Sequence, residues 1–169
     1  MRTEARLLND LVIEDFQDSY DNLTLKTTFL LKVLTGQCSQ AQFILKADDD
    51  VFVNPERLWK MISDTQLSTV KINNTDLHYA LIGKKQTNIR PFRDKTNKWY
   101  LPAQIYSSDV FPPYLQGLAY VLTGSLLGAL YSCALTTPVL PIEDVFLTGL
   151  CATQQFNLSL THHKVSGLI

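Results

Sequence analysis

Residues 42–54 read QFILKADDDVFVN, and this stretch decides how the rest of the chain is interpreted. The apolar run at 43–45 is long enough for a short buried strand, and carboxylates occupy 48–50 immediately after it. Asn54 and Pro55 then have the residue types of a helix N-cap and a first helical position. The sequence therefore predicts an acidic cluster at the end of a strand, between two buried segments.

The three carboxylates are Asp48, Asp49 and Asp50. Ligands of open α/β sheets bind in the crevice at the carboxyl ends of strands, and adjacent like charges there repel one another. A divalent cation with a preference for oxygen, Mg²⁺ or Mn²⁺, would offset that repulsion. An EF-hand is excluded, because the sixth and twelfth loop positions hold Val53 and Trp59 instead of Gly and Glu. The spacing alone leaves both a metal site and a solvated acidic turn open.

The composition is that of one ordinary globular domain. The chain has 169 residues, 46% of them hydrophobic and 18% charged, with a formal net charge of -1. This balance does not favour a nucleic-acid or anionic membrane partner. No apolar run approaches the ~20 residues of a membrane span, and residues 1–20 lack the apolar centre of a signal peptide. We therefore expect either a cytosolic protein or a piece of a longer one.

Cysteines and glycosylation sequons give weaker indications of the compartment. The chain contains three cysteines, Cys38, Cys133 and Cys151. Their spacing forms no Cys-x-x-Cys pair, which argues against a zinc site, and their odd number leaves at least one thiol free or paired outside this chain. Asn-x-Ser/Thr sequons occur at Asn22, Asn73 and Asn157. Because sequons are common by chance, they indicate a secretory compartment only weakly.

Hydrophobic spacing predicts an alternation of helices and short strands. Helices are expected at 23–35, 55–63, 124–134 and 145–154. Asn22 has the residue type of an N-cap for the first of them. Short strands are expected at 43–45, 79–82, 98–101 and 120–123. The polar stretches 64–77 and 84–98 are interpreted as surface loops.

Three further groups could carry chemistry, and each has a plain structural alternative. Glu143 and Asp144 could supply a general base, or they could simply favour the start of a helix. His163 could give a metal its nitrogen ligand, or it could be a solvated histidine of the tail. The aromatic run from Tyr114 to Tyr120 could stack on a sugar, although core packing explains it equally well.

Four sequence blocks, in order, carry a resemblance to a known family. Residues 15–27 read DFQDSYDNLTLKT, and residues 46–54 read KADDDVFVN. The third block is FPPY at 111–114, leading to Gly117 and Tyr120, and the fourth is EDVF at 143–146, with Gly149 and Cys151. Together with Lys98-Trp99-Tyr100, these blocks closely resemble the β-1,3-galactosyltransferase and β-1,3-N-acetylglucosaminyltransferase family, glycosyltransferase family 31.

The resemblance implies a fold and a reaction. The fold would be the GT-A type, an α/β nucleotide-sugar-binding sandwich with a Rossmann-like mixed sheet flanked by helices, forming a single catalytic domain over residues 1–169 that is incomplete at its N-terminus. The reaction would be an inverting transfer of galactose or N-acetylglucosamine, from UDP-galactose or UDP-N-acetylglucosamine, to a hydroxyl of an acceptor glycan on a glycoprotein or glycolipid. It would use Mn²⁺ or Mg²⁺, in the Golgi lumen, with a type II membrane anchor expected only in the full-length protein.

The resemblance also implies residue roles. Asp144 would be the catalytic base, Asp50 the main metal ligand, and Asp48 a carboxylate near the donor ribose that also serves the metal. His163, before Lys164, would be the C-terminal metal ligand. The remaining donor-binding residues would be Asp49, Lys46, Gly117 and Glu143.

Two departures from the family pattern keep alternatives open. Leu118 and Ala119 stand where the family usually has a glycine-rich turn, so we expect them to narrow the backbone approach there. Only about fourteen residues precede the first block, so the first uridine-contacting strand is expected to be absent and a strand edge to be unpaired. A catalytically inactive relative that binds sugar or acts as a chaperone is one alternative, and a metal-dependent phosphohydrolase is a second.

Overall fold

The computed structural model describes residue 7 and residues 11–163. Its helices are α1 (Leu23–Gln37), α2 (Pro55–Ser63), α3 (Leu127–Thr136) and a π-helix (Val145–Gln155), with 3₁₀ turns at Tyr20–Asn22 and Gly124–Leu126. Its strands are β1 (Phe43–Ala47), β2 (Ser68–Ile72), β3 (Thr75–Tyr79), β4 (Leu81–Gln86), β5 (Tyr114–Thr123) and β6 (Thr161–His162).

Four strands form a mixed sheet in the order β1-β5-β4-β6. Strands β1 and β4 both run antiparallel to β5, and β6 runs parallel to β4. Hence β1, β4 and β6 point the same way and end at the same edge of the sheet. Within the described residues β1 lies at the outer edge, where Leu45 is 37% exposed.

Helices cover both faces of this sheet. On one face, sheet residues such as Leu81 and Leu122 pack with Leu31 of α1, Leu130 of α3 and Leu147 of the π-helix. On the other face, Ile82 and Val121 pack against Met61 of α2. Burying each such apolar side chain stabilises the folded protein by about 1.5–3 kcal/mol relative to leaving it exposed. The predicted fold class, a mixed α/β sheet flanked by helices, is confirmed.

The best predicted element is α2, which spans the expected residues. The side chain of Asn54 accepts a hydrogen bond from the backbone N–H of Arg57 at 3.1 Å, as an N-cap should. Asn22 is the N-cap residue of α1, as predicted, but its side chain makes no capping hydrogen bond. Its side-chain amide instead donates to the carbonyl of Gln17 at 2.8 Å, because a 3₁₀ turn leads into the helix.

The polar stretch 64–77 is not a loop, because most of it belongs to the β2–β3 hairpin. Asn73 and Asn74 have φ angles of 49° and 64° and join the strands by a two-residue turn, which matches the primed hairpin turns that Asn tolerates. The expected strand at 98–101 is only an isolated pairing of Phe92 with Tyr100. The expected strand at 120–123 is the end of the ten-residue β5.

The last predicted helix is present, but as a π-helix. Its end is marked by a hydrogen bond from the N–H of Phe156 to the carbonyl of Cys151, five residues earlier. A disulfide joins Cys151 to Cys133 of α3, and Cys38 is exposed and free. In the part of the chain that the structure describes, no helix combines the length and apolar character needed to cross a membrane.

Candidate active site

The acidic triplet lies where β1 ends. The N–H of Asp48 donates to the carbonyl of Leu118 at 3.0 Å, and the N–H of Val51 donates back to the carbonyl of Asp48 at 3.2 Å. Asp48, Asp49 and Asp50 are all exposed. The turn after β1 therefore presents three carboxylates to solvent at the edge of the sheet.

Lys46 connects the triplet to two distant segments. Its Nζ donates to Asp48 Oδ1 at 2.5 Å and to the carbonyl of Gly117 at 2.6 Å. It also lies 3.7 Å from Glu143 Oε2. Since the Lys46 side chain is only 17% exposed, one partly buried ammonium group holds β1, β5 and the segment before the π-helix together.

Glu143 is enclosed by protein and is only 6% exposed. The Tyr120 hydroxyl donates to its Oε1 at 2.6 Å. Burial raises the pKa of Glu143, although the charge of Lys46 and the hydrogen bond from Tyr120 act in the opposite direction. Burial and the adjacent Glu143 carboxylate likewise raise the pKa of Tyr120 well above its ordinary value.

Asp144 is held by two backbone N–H groups. Its Oδ1 accepts from Val145 and its Oδ2 accepts from Gly117, both at 2.8 Å. Burial raises the pKa of Asp144, and the hydrogen bonds from Gly117 and Val145 lower it in part. Each carboxylate oxygen keeps a second lone pair, and a raised pKa makes the carboxylate a stronger base. The arrangement orients Asp144 and leaves it able to accept a proton.

Close packing of β5 against the π-helix fixes the position of Asp144. A Cβ added to Gly117 would lie 3.3 Å from Asp144 Oδ2, so glycine permits this approach. The hydroxyl of Thr148 donates to the Asp144 carbonyl at 2.6 Å and accepts from the N–H of Leu115 at 2.8 Å. These contacts place the carboxylate beside the strand that also pairs with β1.

The remaining predicted metal ligand, His163, lies at the same sheet edge but farther across the sheet. It follows β6, and its N–H donates to the carbonyl of Gly83 at 2.8 Å, while its Nδ1 is buried without a hydrogen-bond partner. Three strand spacings separate β6 from β1, about 14 Å. Among residues 11–163, no three His, Cys, Asp or Glu side chains gather into a metal-binding group. Lys164 lies outside the described residues.

Comparison with known proteins identifies the family. Residues 1–164 match the family described as Galactosyltransferase. The chain belongs to this family. All four sequence blocks fall within the matched region, as do the acidic triplet and Asp144.

Curated relatives agree with this assignment. Over 148 residues, 88% of the chain, it is 41% identical to the rat UDP-GlcNAc:betaGal beta-1,3-N-acetylglucosaminyltransferase 7, and it covers 35% of that protein. The mouse protein of the same name is 40% identical. Human beta-1,3-galactosyltransferase 1 is 34% identical over 149 residues, 88% of the chain and 43% of the relative. The chain thus spans less than half the length of these relatives.

Within this Galactosyltransferase-family fold, the sequence-predicted site residues divide into two groups. A connected network contains Lys46, Asp48, Gly117, Glu143 and Asp144. No hydrogen bond or ion pair between described residues joins the side chains of Asp49, Asp50 or His163 to that network. The roles of all eight residues remain predictions.

Two residues of the site were missed by the sequence reasoning. Tyr120 was considered only for sugar stacking or core packing, yet its hydroxyl holds Glu143. Only the register of the sheet, which pairs Lys46 with Tyr120, brings it there. Thr148 is the fourth residue after Asp144, and that helical spacing was an available signal for a bond to the Asp144 carbonyl.

Proposed function

We propose that this chain is the catalytic part of an inverting hexosyltransferase. It would move galactose or N-acetylglucosamine from a UDP-sugar to a hydroxyl of an acceptor glycan, forming a β-1,3 linkage. The observation that carries the proposal is the pair of N–H groups, from Gly117 and Val145, that orient Asp144. The carbonyl of the same Gly117 accepts from the Lys46 ammonium, which also binds Asp48 of the acidic triplet. Family membership and the names of the relatives support the same reaction class.

Asp144 acts as the general base in this proposal. As the acceptor hydroxyl oxygen forms its bond to the anomeric carbon, Asp144 takes the hydroxyl proton, and the bond from that carbon to UDP breaks on the opposite face. The raised pKa of Asp144, caused by burial, favours proton acceptance. The two backbone donors keep the carboxylate from turning away from the acceptor.

The donor set at the triplet fits a hard divalent cation. Mg²⁺ is commonly held by one or two carboxylates together with substrate phosphates, so an enclosed three-residue site is unnecessary. Asp50 and Asp48 would hold Mn²⁺ or Mg²⁺. His163 would join them as a ligand only if the segment after β6 moved toward the triplet, because three strand spacings separate β6 from β1. Such an ion, when bound, offsets the negative charge that develops on the departing diphosphate.

The remaining predicted residues form the donor side of the site. Asp48 would face the ribose, with Asp49 beside it. Lys46 would hold Asp48 and the Gly117 carbonyl in place through the two hydrogen bonds that its ammonium donates. Glu143, whose oxygens face Tyr120 and Lys46, would contribute by fixing Lys46.

We place this activity in the Golgi lumen, with a membrane anchor in the full-length protein and acceptors on glycoproteins or glycolipids. The Cys133–Cys151 disulfide supports an oxidising, secretory compartment, because such bonds are rare in the cytosol.

One of the two grounds for the inactive-relative alternative, the presence of Leu118 and Ala119, is not supported by the contacts of these residues. Ala119 is buried in β5 opposite Ala47, and Leu118 contributes its carbonyl to the N–H of Asp48. Neither the pairing of Ala119 with Ala47 nor the Leu118–Asp48 hydrogen bond involves the contact between Gly117 and Asp144. Family membership also favours a transferase over the phosphohydrolase.

A transfer assay tests the proposal. The chain, supplied with Mn²⁺, is incubated with UDP-galactose or UDP-N-acetylglucosamine and with acceptors that end in β-linked galactose or N-acetylglucosamine. We expect one donor to yield a β-1,3-linked product, and the Asp50→Ala variant to lose Mn²⁺-dependent UDP binding. Donor binding without transfer to any acceptor would support the inactive relative, and release of phosphate from simple esters would support the phosphohydrolase.

A further inference from the structure

The tip of the β2–β3 hairpin presents a complete glycosylation sequon to solvent. Asn73, Asn74 and Thr75 are all exposed, and both asparagines adopt positive φ angles in the two-residue turn between the paired strands. No hydrogen bond within the described residues engages the side chains of these three residues. A large group attached to Asn73 would therefore replace no contact that the fold uses.

In the sequon at Asn22, the side chains of Asn22 and Thr24 both make hydrogen bonds within the fold. The Asn22 amide donates to the Gln17 carbonyl at 2.8 Å. The hydroxyl residue of that sequon, Thr24, is only 1% exposed, and it donates to the carbonyl of Leu140 at 2.5 Å. A glycan on Asn22 would stand at the junction between α1 and the segment that leads to Asp144.

The sequon at Asn157 is intermediate between these two. Asn157 is exposed, but Leu158 beside it is 3% exposed and packs in the core. The hydroxyl of Ser159 shares a hydrogen bond with the hydroxyl of Tyr79 at 3.0 Å. Only the Asn73 sequon is free of the folded structure at all three positions.

We propose that Asn73 carries an N-linked glycan and that Asn22 does not. In the reaction, the Asn73 amide nitrogen loses a proton and bonds to the anomeric carbon of a lipid-diphosphate-linked oligosaccharide. The bond from that carbon to the diphosphate breaks, and the lipid diphosphate leaves. This proposal rests on the lumenal location within the proposed function, since the lipid-linked donor and its transferase act in the secretory pathway.

The hairpin joins the molecule at the end of the sheet remote from the candidate active site. The hydroxyl of Ser125 donates to the carbonyl of His78 at 2.7 Å, and the N–H of Ala80 donates to the hydroxyl of Thr123 at 3.3 Å. Thr123 ends β5, six residues after Gly117, a span of about 20 Å at ~3.3 Å per residue. We therefore expect removal of the glycan to leave UDP binding unchanged.

The test is expression of the chain behind a secretion signal in animal cells, followed by enzymatic deglycosylation and peptide mass spectrometry. The secreted wild-type chain should carry a glycan at Asn73. The glycan should be absent from the Asn73→Asp and Thr75→Val variants. Asn73→Asp keeps the turn, because Asp also tolerates a positive φ angle. Thr75→Ser should carry the glycan. Asn22→Asp should leave the glycan content unchanged, although it removes the hydrogen bond that Asn22 donates to the Gln17 carbonyl.

An unmodified Asn73 peptide in the secreted wild-type chain would overturn this inference, as would a glycan found on Asn22. Its failure is distinguishable from failure of the proposed function. A secreted, unglycosylated chain that still transfers sugar contradicts only the modification, whereas a glycosylated chain without transfer contradicts only the activity.

Discussion

At the scale of single residues, the site depends on a buried acid that does not face solvent. The Tyr120 hydroxyl donates to the Glu143 carboxylate, and the Lys46 ammonium forms an ion pair with it. Burial raises the pKa of Glu143. An acid whose folded pKa is raised binds more protons in the folded state than in the unfolded state over the pH range between the two values. Folding stability contributed by this group is therefore greatest at low pH and falls as the pH rises.

Glu143→Gln should remove that pH dependence. The free energy of unfolding of the wild type, relative to the variant, should decline from about pH 4.5, the ordinary pKa of glutamate, up to the raised folded pKa. Urea unfolding at a series of pH values measures this difference, and an unchanged denaturant slope is the control for an intact fold. A difference that stays constant, or grows with pH, would contradict the burial argument.

At the scale of elements, the glycine after β5 sets how closely two chain segments approach. The N–H of Gly124 donates to the carbonyl of Gln42 at 2.9 Å. A Cβ added to Gly124 would fall far inside the contact distance of the Ala41 carbonyl oxygen. Gly128, one turn later in α3, has open space around the same position.

The two glycines form a matched pair for substitution. Gly124→Ala should destabilise the fold by about 1–3 kcal/mol or more, because backbone must shift. Gly128→Ala should stabilise it by about 0.5–1 kcal/mol, because alanine is the better helix former. Thermal or urea unfolding of both variants measures these changes. Equal effects of the two substitutions would contradict the close approach at Gly124.

Element prediction from sequence succeeded where local chemistry decides the structure. The Asn54 cap and Pro55 mark the start of α2 within the local sequence. The β2–β3 hairpin was missed, because its strands are polar and mostly exposed and its turn is Asn-Asn rather than a glycine-containing pair. The π-type geometry of Val145–Gln155 leaves no mark on hydrophobic spacing and could not be predicted.

At the scale of the whole molecule, the sheet brings together blocks that are far apart in the chain. Pairing of β1 with β5 places Lys46 opposite Tyr120, and packing of β5 on the π-helix places Gly117 against Asp144. The first block contributes through Thr24, whose hydroxyl binds the Leu140 carbonyl shortly before Glu143. The four blocks are therefore one structural unit around the candidate base.

This long-range arrangement explains what the sequence could and could not predict about the site. The residue pattern singled out the triplet and Asp144, and the resemblance supplied their predicted roles, because short motifs can be read directly from the sequence. It could not predict that Lys46 bridges Asp48 and Glu143, since that contact depends on strand register and on a segment almost one hundred residues away. The role of His163 as a metal ligand remains a prediction, because two strands separate β6, which precedes His163, from β1, which precedes the triplet.

The most direct test of the central claim is Asp144→Asn, measured for both UDP binding and sugar transfer. The amide keeps the size of the side chain but is a far weaker base, so we expect UDP binding by calorimetry to be retained and transfer to fall by about 10²–10⁴-fold. Asp76→Asn, on an exposed strand of the hairpin, is the control and should keep both. Transfer at the wild-type rate by Asp144→Asn would contradict the account.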